Sequence, residues 1–94
     1  MMQIKDSGRF SPGRMLVMKR VIDIIPQEEL LAALNRHLNC DWGDVSDSDR
    51  RSNDHALTAG ERLVSCYHSK NDVKFYIITE WDRSLTTILL AEDY

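Results

Sequence analysis

Glycine is scarce and scattered: Gly8, Gly13, Gly43 and Gly60 stand too far apart to build a phosphate-cradling loop. No apolar run extends beyond a few residues, far short of the roughly 20 that span a bilayer. No apolar segment follows a basic start, so neither a membrane span nor a secretory signal is expected, and a cytoplasmic location follows. Cysteine is limited to Cys40 and Cys66, which form no spaced framework and read as small apolar thiols in a reducing compartment. An excess of positive charge is missing too. The formal net charge is −3, and it is uneven: Lys5, Arg9, Arg14, Lys19 and Arg20 against Asp6 leave the first 20 residues at +4, while the remainder, with 7 basic and 14 acidic residues, stands at −7. A nucleic-acid reader carries a basic face, so direct nucleic-acid binding is disfavoured.

What is present is enough for one domain. A chain of 94 residues can bury a core without metals or disulfides. Residues 1–13, with two glycines and a proline between Gly8 and Gly13, read as a flexible or irregular arm, and residues 14–94 as a single α+β domain. Residues 14–20 fit a strand; residues 21–25 are ambiguous between strand and helix, because a short apolar run does not reveal its period. Pro26 opens a helix over 26–39, with Glu28 and Glu29 in its first turn, Leu30, Leu31, Leu34 and Leu38 at helical spacing, and Arg36 and His37 near its end. Ser46 caps a second, mostly polar helix over 47–59, and Gly60 stands where a left-handed C-cap belongs.

From Glu61 the period changes to two. Strands are expected over 62–68, 73–81 and 85–90, with a turn at Asn71-Asp72 and a two-residue hairpin at Asp82-Arg83. That hairpin sets Thr79 opposite Thr86 and Ile77 opposite Ile88. The expected fold is therefore β-α-α-β-β-β, an antiparallel sheet with two helices packed on one face. The last strand has few charges to protect it at an edge, so a strand-to-strand homodimer is one expectation.

Three constellations suggest chemistry. His37, Cys40, Cys66 and His68 are the right ligand types for tetrahedral zinc, although neither half has zinc-finger spacing; a zinc-binding regulator is the corresponding reading. Asp41, Asp44, Asp47 and Asp49 are acidic enough for calcium, but Arg51 falls where an EF-hand needs an oxygen ligand, and helix capping is the simpler account. Glu80, Asp82 and Arg83 gather at the hairpin tip, where paired carboxylates could serve acid–base work or a salt-bridged turn. No resident cofactor is implied.

Two stretches carry a resemblance: residues 39–45, Asn-Cys-Asp-Trp-Gly-Asp-Val, and residues 77–90, which include Thr79-Glu80-Trp81-Asp82-Arg83-Ser84 and Thr86-Thr87-Ile88-Leu89-Leu90. Over residues 14–94 the chain resembles a family of small bacterial proteins described as plasmid-related, sometimes labelled subunits of type I restriction systems. No methyltransferase motif is present to support that label. In the family alanine usually stands where this chain has Trp81, which implies an edge or surface position. The resemblance marks Asp41, Trp42, Asp44, Asn53, Tyr67, Thr79, Glu80, Asp82, Arg83, Thr86 and Thr87 as a candidate functional surface. It implies an accessory protein of mobile elements that binds another protein, for instance as an inhibitor of a host defence complex, with no activity to carry over. A ribonuclease toxin of RelE/ParE type has a similar element order and length, but such toxins are typically basic.

Overall fold

Pro26 divides the first helical region in two. In the computed structural model, which describes residues 8–94, the strand β1 (Arg14–Val17) gives way at once to a short helix, α1 (Lys19–Ile24). The expected strand over 14–20 is thus shorter, and the ambiguous segment is helical. Val21 and Ile25, four apart, are buried, and Lys19 reaches Asp23 at 2.8 Å along the exposed side. Ile25, held extended by the following proline (φ −106°, ψ 126°), ends that helix. Pro26 stands just outside the next one, α2 (Gln27–Leu38), and its carbonyl accepts from Glu29 and Leu30.

The buried face of α2 is Leu30, Ala33, Leu34, His37 and Leu38. It packs with Val21 and Ile25 onto Tyr67, Phe75, Ile77, Ile88 and Leu90 of the sheet. Leu34 is fully buried there, so truncating it to alanine would cost about 2–5 kcal/mol. The helix α3 (Asp47–Ala59) begins as expected, with Ser46 Oγ accepting from the Asp49 amide at 3.0 Å, and ends at Gly60 with φ 71°. It contributes Ala56 to a second cluster with Trp42 and Leu63.

The strands β2 (Leu63–His68), β3 (Lys74–Thr79) and β4 (Leu85–Leu90) form an antiparallel meander, followed by a 3₁₀ turn, Ala91–Asp93. The expected register holds: Thr79 pairs with Thr86 and Ile77 with Ile88. Pairing stops at Glu80 and Leu85, so the loop has four residues, Trp81 to Ser84, instead of two. Trp81 is exposed, as the resemblance implied.

Two features of the expected fold are corrected. Among the described residues the order is β-α-α-α-β-β-β, and the sheet is mixed, in the order β1-β4-β3-β2. β1 runs parallel to β4, with Arg14 beside Leu85 and Val17 beside Ile88, an arrangement that requires a long crossover between the two strands. The last strand is therefore interior, and β1 is the edge. The β2 edge is covered: the Asn53 amide bonds both backbone groups of Val64, at 2.8 and 3.1 Å, and residues 42–44 bridge to Cys66. Gly43 is required there, because its φ is 78° and a Cβ would lie 2.1 Å from the Cys66 carbonyl oxygen.

Residues 8–13 have no regular structure, yet they belong to the domain rather than to a loose arm. The Arg9 amide donates to the Leu38 carbonyl at 2.7 Å, and Phe10 packs against both clusters. The rest of the expected arm, residues 1–7, lies outside the described residues. Among the described residues no helix is long and apolar enough to cross a membrane.

Candidate functional site

Of the residues expected to form a working surface, Trp42, Asn53, Tyr67, Thr79 and Thr86 are buried, while Asp41, Asp44 and Asp82 are exposed. His37, expected at an exposed helix end, is fully buried. Its Nδ1 lies 2.5 Å from Ser65 Oγ and its Nε2 lies 2.8 Å from Thr79 Oγ1; Thr79 Oγ1 lies 2.7 Å from Thr86 Oγ1, which donates to the Pro12 carbonyl at 2.7 Å. Each hydroxyl has one proton, so the last bond fixes the rest. Thr86 spends its proton on Pro12 and must accept from Thr79; Thr79 must then accept from His37 Nε2–H. That leaves Nδ1 as the acceptor for Ser65. Burial, helped by the charge of Arg83, lowers the His37 pKa to about 3, which keeps the ring in this neutral form.

The hairpin tip is a structural turn. Arg83 has φ 61°, and its guanidinium donates to the carbonyls of Glu61, Glu80 and Ala56 at 2.5, 3.1 and 3.0 Å, capping the end of α3. Asp82 accepts from the Ser84 amide and hydroxyl, which hold its carboxyl below the usual range. Glu80 lies 3.8 Å from Arg62. Thr87 is half-buried on the opposite face of β4 from Thr86.

The turn at 41–44 is equally committed. Arg36 grips Asp41 with two bonds, at 2.8 and 3.2 Å, and holds its carboxyl low. The pair is half-exposed, so its contribution is small. Trp42 is buried, its Nε1–H donating to Asp54 at 2.9 Å, and the buried Tyr67 hydroxyl donates to the Asp41 carbonyl at 2.6 Å. Asp44 pairs with His68 at 2.7 Å. Asp44 thus sits beside His68 at one end of β2 and Glu80 beside Arg62 at the other, so the two carboxylates are not paired; Phe10 joins the turn to the hairpin, stacked on Trp42 and with Arg83 5.8 Å from its ring.

The four proposed zinc ligands do not converge. Both His37 nitrogens are engaged with hydroxyls and His68 is engaged with Asp44. Among the described residues no group of three or more histidine, cysteine or acidic side chains could hold a metal ion, which also removes the acidic stretch 41–49 as a calcium site.

A cleft of about 450 Å³ lies over the face of the sheet opposite α1 and α2. Val64, Cys66 and Tyr76 of the sheet line it, together with Asp44, Ser46, Asp49, Arg62, Lys74 and Tyr94. The Tyr76 and Tyr94 rings lie 5.2 Å apart, Arg62 sits 5.7 Å from the Tyr94 ring and Lys74 5.7 Å from the Tyr76 ring. Ser46 is spent on its cap, and burial pushes the Cys66 thiol up, away from the nucleophilic thiolate. Of the expected surface Asp44 and Asn53 line this cleft, and the Asn53 amide is spent on Val64. The period-two pattern places Lys74 and Tyr76 on one face, which is a legible signal; the return of Tyr94 across β3 has no such signature.

No family model matches the chain, and no curated protein or solved structure matches it either.

Proposed function

We propose that the protein acts by binding another protein, and that the cleft over the outer sheet face receives a segment of that partner. The observation that carries this reading is the pairing of Tyr76 and Tyr94 at the cleft, each with a cation at its ring. Tyrosine and arginine are the side chains enriched in interface hot spots, and a volume of about 450 Å³ is within the range of ligand pockets. Acids (Asp44, Asp49) and cations (Arg62, Lys74) both line the cleft, which suits a peptide segment that carries both signs. The engagement of His37, Thr79, Thr86 and Arg83 in internal bonds supports binding over catalysis, since these groups hold the fold together. The resemblance to plasmid-related proteins supplies the setting: an accessory protein of mobile elements whose partner is a component of a host defence complex.

The test is affinity capture from bacterial lysate with the wild-type chain and with Tyr76→Ala and Lys74→Glu. A partner held by the wild type and lost from both variants, at unchanged melting temperature, is the expected result. No partner above background, or one that both variants retain, contradicts the proposal.

A further inference from the structure

We infer that the free edge of β1 pairs with the same edge of a second copy of this chain, giving a two-fold dimer with one continuous sheet. This inference stands independently of the cleft. Among the described residues nothing covers the outer side of β1, whereas Asn53 and residues 42–44 cover the β2 edge. β1 is short, Arg-Met-Leu-Val, and carries no proline and a single charge, at its start. Large apolar side chains lie exposed on and beside it, with Leu16 48% and Ile22 60% exposed, and Met18 and Ile24 exposed as well.

The backbone specifies a register. Arg14 and Met18 donate their amides inward, to the carbonyls of Ser84 and Ile88, at 2.9 and 3.0 Å. Alternation then turns the amides and carbonyls of Met15 and Val17 outward. In an antiparallel pair about a two-fold axis normal to the sheet, opposed residues must share a face. The axis that uses all the outward groups passes beside Leu16. It sets Met15 of one protomer against Val17 of its partner, twice over, and closes four backbone hydrogen bonds. Leu16, half exposed in the monomer, then meets Leu16 across a close, non-hydrogen-bonded position.

Charge is compatible with this pairing and argues for a second copy. Arg14 falls opposite Met18, not opposite another cation. The cations just beyond are compensated at home: Lys19 by Asp23 at 2.8 Å, and Arg20 by Glu92 and Asp93, both at 2.6 Å. A foreign strand would have to reproduce this register and charge placement; a second copy has them by symmetry.

The test uses the full chain. Sedimentation over a concentration series should give a dimer for the wild type, and Leu16→Lys, which opposes two ammonium groups at the axis, should weaken it by roughly tenfold or more. Register is read by oxidative cross-linking. Leu16→Cys should link protomers as a disulfide, because the two Cα atoms approach to about 4.5–5.5 Å. Met18→Cys should not, since the two copies of that position lie about four residues apart along the pair, or roughly 13 Å. The wild-type chain, which has its own Cys40 and Cys66, sets the background. A wild-type chain that stays monomeric throughout overturns the inference, whatever the variants do. So does a dimer that Leu16→Lys leaves intact, or one that cross-links no better through position 16 than through position 18.

Discussion

At the scale of single residues, the chain spends its most chemically suggestive groups on holding itself together. The threonine pair was legible in the sequence, because hairpin register alone sets Thr79 against Thr86. Their partner was not. His37 follows Arg36 near a helix end, a pattern that usually means an exposed cation favoured by the helix dipole. Its position on the Leu30–Leu34–Leu38 stripe was the competing signal, and burial won. Replacing Thr79 with valine removes one link and strands the His37 Nε2–H, and should cost about 1–3 kcal/mol, measured by urea denaturation. The buried ring has a consequence for pH. Folded His37 stays neutral down to about pH 3, while an unfolded histidine takes up its proton near 6.5. Below pH 6.5 the unfolded state therefore binds one more proton, so this contribution is complete above that pH and is lost as the pH falls toward 3. The slope approaches about 1.4 kcal/mol per pH unit. Denaturation at several pH values between 4 and 7 should show a shallower slope for His37→Gln than for the wild type. In the wild type the His37 ring signals should not titrate over that range, and their ¹⁵N shifts should report the Nε2–H tautomer; an unchanged slope or a titrating ring would contradict the assignment.

At the scale of elements, period and capping residues carried most of the fold. The leucine spacing located α2, Ser46 and Gly60 bounded α3, and alternation located the meander with its register. Helix α1 escaped because six residues are under two turns, too few for Val21 and Ile25 to establish a period. The parallel pairing of β1 with β4 escaped because register between strands almost seventy residues apart is decided by the packing of everything between them. Asn53 escaped as an edge cover for a related reason: on a polar helix an asparagine looks solvated until the strand it bonds is known. Asn53→Ala should leave the β2 backbone at Val64 without its partner, costing about 1–3 kcal/mol and speeding amide exchange at Val64, as read by hydrogen exchange. Exchange unchanged at Val64 would mean that the side chain does not seal that edge.

At the scale of the whole molecule, two surfaces stand out among the described residues: the cleft on the β2 side of the outer face, and the bare β1 edge on the other side of the sheet. A two-fold axis normal to the sheet would put both clefts of a dimer on the same face, at opposite ends of eight strands. Such a dimer would engage a repeated or symmetric partner bivalently, and the second contact would then gain from effective concentration and not from new chemistry. Trp42, Tyr67, Thr79, Arg83 and Thr86 are fasteners of the fold, and a fastener and a working group have the same side chains in a sequence. Fastening residues and binding residues are thus divided between the interior bonds and the cleft. This division is tested most directly by measuring melting temperature and partner capture side by side for Arg83→Ala and Tyr76→Ala. Arg83→Ala should lower the melting temperature by several degrees while its folded fraction captures the partner as the wild type does, and Tyr76→Ala should melt like the wild type and capture nothing. Loss of capture by folded Arg83→Ala, with capture intact in Tyr76→Ala, would contradict it.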